Sequence, residues 1–223
     1  MELLRAEHVS YSYQSKYQKV EAVKDVSCVF EKGKFYAIVG ESGSGKSTFL
    51  SLLAGLDLPC EGTIYVDGEP LSAMDRDAYR LNRAAVVYQA FHLFPLLTAQ
   101  ENVMLPLEFK KMRKKEAARQ AQMLLQRVGL ESRIYRQFPK MMSGGEQQRV
   151  AIARAIAHKP KIIFADEPTA ELDTATGLQV MKIFKELISK EGVTIVMTTH
   201  DMGLLDIADC IYHLEDGEIV DEE

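Results

Sequence analysis

The first thirty residues alternate apolar and polar side chains, and the run Val20-Glu21-Ala22-Val23-Lys24-Asp25-Val26-Ser27-Cys28-Val29-Phe30 carries the rhythm most clearly. A two-residue period sends every second side chain to one face of a strand, so half-buried antiparallel strands are predicted here. Lys34 to Val39 is apolar without alternation and runs into a glycine-rich turn. The helical segment that follows, Lys46 to Ala54, stops at Gly55 as a C-cap. Gly62 to Gly68 predicts another short strand ending in a turn pair.

From Met112 to Leu130 the residues Ala117, Ala118, Ala121, Leu124, Leu125 and Val128 recur at steps of three and four, with Gly129 marking the stop. That spacing lines one face of an amphipathic helix. Two apolar strands, Ile162 to Ala165 and Val193 to Met197 with Thr194 as its one polar residue, flank a helical segment around Leu178 to Lys190. Strands without polar alternation are buried on both faces, which points to a parallel sheet covered by helices and hence to an α/β fold. The tail reads as a hairpin, Ile211 to Leu214 and Glu218 to Val220, turning at Asp216-Gly217.

The 223 residues are enough for one domain with a subdomain. A formal net charge of −5 lacks the positive field that phosphate neutralisation requires, so no nucleic-acid partner is expected. Cys28, Cys60 and Cys210 are far apart and show no metal-ligand spacing, which fits a reducing cytosol. The start, Met1 to His8, carries charges where a signal peptide needs its apolar core, so export is not expected. Apolar stretches such as Ala84 to Tyr88 fall far short of the roughly 20 residues that span a bilayer. Any membrane role would pass through a partner. The basic run Lys110 to Lys115 reads as a solvated helix start.

Chemistry enters at Gly40-Glu41-Ser42-Gly43-Ser44-Gly45-Lys46-Ser47, with Thr48 next, which fits G-x-x-x-x-G-K-[ST] between a predicted strand and a predicted helix. Its glycines let consecutive backbone N–H groups turn toward one set of phosphate oxygens, and the helix N-terminus adds partial positive charge. Lys46 is expected to reach the β and γ phosphates, and the Ser47 hydroxyl to coordinate Mg²⁺. The strand Lys161 to Ala165 ends in Asp166-Glu167, which burial carries to the carboxyl edge of the sheet, where ligands of open α/β sheets bind. Asp166 is expected in the Mg²⁺ shell and Glu167 as general base on the attacking water.

Met142-Ser143-Gly144-Gly145-Glu146-Gln147-Gln148-Arg149 resembles the signature of ATP-binding cassette (ABC) proteins, usually written LSGGQ. The order of phosphate loop, Gln89, signature, Asp166-Glu167, Asp173 and His200 resembles that family through nearly the whole chain. Independently, Ser143 and Glu146 have the spacing of a capping box, so Gly144 and Gly145 open a helix and present a second anion site. The resemblance implies a P-loop NTPase core with an antiparallel β subdomain and a helical subdomain over about residues 90–158. It also implies a homodimer in which Ser143, Gly144, Gly145 and Glu146 of one copy close over ATP held by the other. By the same resemblance Tyr13 stacks on adenine, with Tyr11 as the alternative, and Gln89 touches Mg²⁺ and relays nucleotide state to a transmembrane permease subunit. Asp173 crosses the dimer interface, and His200 contacts the γ phosphate. Glu171 departs from the pattern by adding charge near that interface; Met142 stands in for the leucine.

The apolar loop Phe91 to Thr98 resembles the family's groove for the permease. Leu53 to Asp57, Leu93-Phe94-Pro95 and Ala99 to Leu107 resemble the subgroup serving lipoprotein release, macrolide efflux and antimicrobial-peptide resistance. That favours extrusion or mechanotransmission over uptake. An ABC importer, a soluble ABC ATPase and a small-molecule P-loop kinase remain the alternatives.

Overall fold

The structure, a computed structural model, describes residues 1–15 and 18–222. Its first half runs β1 (Glu2–Gln14), β2 (Lys19–Glu31), β3 (Phe35–Val39), α1 (Lys46–Leu53), β4 (Glu61–Val66), β5 (Glu69–Pro70), α2 (Arg76–Asn82) and β6 (Ala84–Val87). The second half runs α3 (Ala99–Phe109), α4 (Lys114–Arg127), α5 (Gly144–Ile156), β7 (Ile162–Asp166), α6 (Thr174–Glu191), β8 (Thr194–Thr199), β9 (Cys210–Glu215) and β10 (Glu218–Glu222). Short 3-10 turns fill several connections.

The alternating N-terminal segments form an antiparallel sheet in the order β2-β1-β4-β5. The unalternating strands form the other sheet, ordered β10-β9-β3-β8-β7-β6, parallel from β6 through β9 and closed by antiparallel β10. The two-residue period survives in these strands as a division between two cores. Ile163, Ala165, Ile195 and Met197 face the helices α3 to α6. Ile162, Phe164 and Val196 face α1 and the antiparallel sheet. Apolar side chains on both faces of β7 and β8 are what a sheet covered on both sides requires.

Helix ends follow caps more than apolar periodicity. The helix expected over Met112 to Leu130 spans only Lys114–Arg127, because Arg113 is extended and Gly129 takes φ +77°. α6 begins at Thr174, ahead of the expected Leu178, because the Asp173 carboxylate accepts the Thr176 N–H. α3 carried no clear apolar rhythm and went unread, although Thr98 and Glu101 form a full capping box. The first strand of the tail hairpin, β9, also joins β3 in parallel. Among the described residues no helix is long and apolar enough to cross a membrane.

The connection from β6 to α3 is pinned by one buried side chain. The Asn102 Oδ1 accepts from the Phe94 N–H at 2.8 Å, and its Nδ2 donates to the carbonyls of Phe94, Leu97 and Thr98 at 3.2, 3.0 and 3.0 Å. Asn102 is fully buried, so these loop groups have no ready substitute partner. Asn102→Ala is expected to lower the unfolding free energy by about 2–4 kcal/mol in urea melts; a loss under about 0.5 kcal/mol would refute this role.

Candidate functional site

The loop between β3 and α1 curls because Gly40 and Gly45 do what no other residue can do there. Gly45 has φ +103°, and a Cβ on it would strike the Ala22 carbonyl oxygen; a Cβ on Gly40 would strike the Leu214 carbonyl oxygen. Lys46 is buried, and its ammonium donates to the carbonyls of Gly40 and Glu41, both at 2.8 Å. An ammonium has three protons to donate, so one remains for an anion held in the curl. The Ser44 hydroxyl is buried without a partner among the described residues.

The parallel register sets Asp166 of β7 beside Thr198 of β8. Asp166 Oδ1 accepts from the Ser47 hydroxyl at 2.8 Å and from the Thr198 hydroxyl at 2.7 Å. The Thr198 hydroxyl in turn accepts the Glu167 N–H at 3.0 Å. Glu167 sits at φ +43°, a left-handed conformation that costs a non-glycine residue about 1–2 kcal/mol. That turn carries its carboxylate to within 3.2 Å of the His200 Nδ1. Phosphate loop, acid pair and His200 are therefore gathered at one edge. Gln89 lies two residues past Val87, whose register partner is Ala165, so it emerges exposed at the same edge.

The Tyr13 hydroxyl is 3.1 Å from the Thr48 hydroxyl, and its ring is half exposed beside the start of α1. Tyr11 meets that ring edge-on at 5.1 Å, while its own hydroxyl donates to Asp57 at 2.6 Å. The Asp57 hydrogen bond is the main reason that the Tyr11 pKa is pushed up to about 12. Tyr11 is thus anchored, and Tyr13 presents the open face.

Ser143 and Glu146 form the expected capping box, with Ser143 N–H to the Glu146 carboxylate at 2.8 Å and Glu146 N–H to the Ser143 hydroxyl at 3.2 Å. Met142 is buried in the helix-side core. The bare α-carbon of Gly145 faces Thr176, whose hydroxyl donates to Asp173 at 2.6 Å. The Thr176 bonds hold the Asp173 carboxyl below the usual range. Glu171 is exposed on the same segment. Signature and Asp173 thus share one patch, while among the described residues no hydrogen bond joins Ser143 to Glu146 with the phosphate loop.

Several residues escaped the sequence reading. In sequence Thr198 is one more residue of a strand, although its hydroxyl bridges the acid pair. Arg154 donates to the carbonyls of His92 at 2.6 Å and Phe91 at 3.1 Å, holding two consecutive left-handed residues just after Gln89. His92 stacks on Tyr88 with ring centroids 4.5 Å apart. Nearby, Leu56, Val86, Tyr88, Phe94, Leu105, Pro106 and Phe109 line an apolar groove of about 290 Å³, rimmed by Arg154 and His158. Of the loop expected to form it, Phe94 lines the groove, whereas Leu93 packs into the helix-side core.

A family profile described as ABC transporter matches residues 23–170. The ABC transporter ATP-binding protein MJ1508 of Methanocaldococcus jannaschii is 44% identical over 222 residues, with 98% of each chain covered. The macrolide export ATP-binding/permease protein MacB of Neisseria gonorrhoeae is 41% identical over the whole of this chain, which covers 35% of that longer protein. The solved dimeric ATP-binding cassette MJ0796, in a post-hydrolysis state bound to ADP and Pi, superposes with a TM-score of 0.94 at 40% identity, covering 99% of this chain and 98% of that one. With the phosphate loop, the acid pair and the signature in this geometry, the chain belongs to the ABC transporter family as one of its ATP-hydrolysing cassettes.

Proposed function

We propose that two copies of this chain clasp ATP between them, each phosphate loop facing the other copy's signature, and that hydrolysis reopens the pair to drive a membrane-spanning permease. The observation that carries this reading is the bonded edge Ser47–Asp166–Thr198–Glu167–His200 beside Lys46, together with a capped signature helix start to which, among the described residues, no hydrogen bond joins that edge. The dimeric form of the MJ0796 cassette supports the arrangement.

In this mechanism the backbone N–H groups of residues 40–48 and the Lys46 ammonium hold the phosphates. Tyr13 stacks on the adenine. Glu167 takes the proton from the water attacking the γ phosphate, and His200, 3.2 Å from its carboxylate, orients that exchange and contacts the γ phosphate. Ser47 and Asp166 with Gln89 offer the hard oxygen donors that fit Mg²⁺, which would neutralise charge on the phosphate oxygens when bound. Ser143, Gly144, Gly145 and Glu146 meet the partner copy's nucleotide, and Asp173 crosses between copies. Residues 90–158 move as a helical lobe, and the groove lined by Phe94, Leu105 and Phe109 receives the permease on the cytoplasmic face of the membrane. Likeness to the macrolide export protein MacB supports export over import.

Glu167→Gln is expected to keep ATP binding, cut turnover at least about 100-fold and leave a dimer in ATP alone on sizing columns; a monomer with and without ATP would sink the sandwich. Lys46→Ala is expected to weaken ATP affinity about tenfold or more in equilibrium binding, and normal hydrolysis by it would exclude this site. Tyr11→Phe frees the ring that braces Tyr13. It should weaken ADP binding by about threefold to tenfold while tripolyphosphate binding and kcat hold; equal losses for both ligands would remove Tyr11 from this role.

A further inference from the structure

The turn joining α3 to α4 and the first turns of α4 gather six cations, Lys110, Lys111, Arg113, Lys114, Lys115 and Arg119, against two nearby acids, Glu108 and Glu116, in a chain of formal net charge −5. All six are exposed, and among the described residues none forms an ion pair. Lys110 donates to the His158 carbonyl at 2.9 Å, so part of its role is structural. Glu101, whose carboxylate caps α3 through Thr98, also feels the Lys114 charge.

Helix electrostatics accounts for only some of this cluster. Lys110 and Lys111 follow the C-terminus of α3, where positive charge complements the helix dipole. Arg113, Lys114 and Lys115 sit at the N-terminus of α4, where positive charge opposes it, and Arg113 supplies no side-chain cap. A helix selected for stability alone would begin with Ser, Asp or Glu. In the first turn of α4 Glu116 alone complements the dipole, so helix stability does not account for the basic residues around it.

Phe109, 69% exposed, directly precedes Lys110 and lines the apolar groove with Leu105 and Pro106. The basic turn continues the face that the proposed function turns toward the permease, and the inference rests on that reading. We propose that the α3–α4 turn is a lipid-contact surface, on which Lys111, Arg113, Lys114 and Lys115 bind anionic headgroups of the bilayer holding the permease, with Phe109 at the interface. Near an anionic leaflet each basic side chain strengthens association about fivefold, and four of them on one short turn act together. The attraction weakens as salt rises.

The test uses the full chain, without permease, sedimented with vesicles of phosphatidylcholine alone or mixed with phosphatidylglycerol. The expected result is salt-sensitive binding to the mixed vesicles only. It should weaken at least about tenfold in Lys111→Glu/Arg113→Glu/Lys114→Glu, whose ATP turnover in solution stays unchanged, and more modestly in Phe109→Ser. Equal binding to neutral and anionic vesicles, an unaffected triple variant, or binding to single-stranded RNA with none to vesicles would overturn the proposal. Because no permease or ATP-driven dimer is needed, failure here leaves the sandwich standing, and a monomeric Glu167→Gln leaves the vesicle result readable.

Discussion

The parallel pairing of β7 with β8 is the constraint on which the rest of the site depends. It sets Asp166 beside Thr198, and that juxtaposition lets one hydroxyl serve both acids, donating to the Asp166 carboxylate and accepting from the Glu167 N–H. A slip of one residue would exchange the two faces of β8 and send Thr198 away from the acid edge. Such a slip is opposed by burial on both sides, since Ile195 and Met197 pack into one core and Val196 into the other. Hydrophobic packing several residues away thus fixes the geometry of polar groups that could not fix it themselves. The left-handed turn at Glu167 is held by the same bond.

The phosphate loop and the signature are built on different elements of the fold. The phosphate loop closes on β3 and α1, with glycines pressed against the carbonyls of Ala22 and Leu214. The signature opens α5 and packs on the segment leading into α6, through Gly145 and Thr176. Each end has N–H groups and positive dipole to offer an anion, and each lacks the other's contribution. A second copy supplies the missing half most simply in the proposed sandwich, and ATP contacts made only in the closed pair would then shift the population toward closure.

Joining these parts are two polar anchors. Asn102 holds the carbonyls at the entry to α3, and Arg154, on the signature helix, grips the carbonyls of Phe91 and His92 just after Gln89. Arg154 thereby ties the segment just after Gln89 to α5 and to the groove that it rims. The basic turn between α3 and α4 directly follows Phe109, which lines that groove.

What the sequence determined by itself was whatever depends on neighbours in the chain. The curl from Gly40 to Ser47, the Ser143–Glu146 cap, the acids ending an apolar strand and the two-residue alternation are short-range patterns, so residue order expresses them directly. α3 escaped because its rhythm is blurred, and the start of α6 because the Asp173 cap outweighs apolar spacing. Only the tertiary structure decided that Thr198 bridges the acids, that Asp57 anchors Tyr11 and leaves Tyr13 open, and that Arg154 holds the loop after Gln89. The hydrogen bonds among them join residues from 31 to 63 positions apart, and they exist only once burial has chosen the register and the packing of helix on sheet.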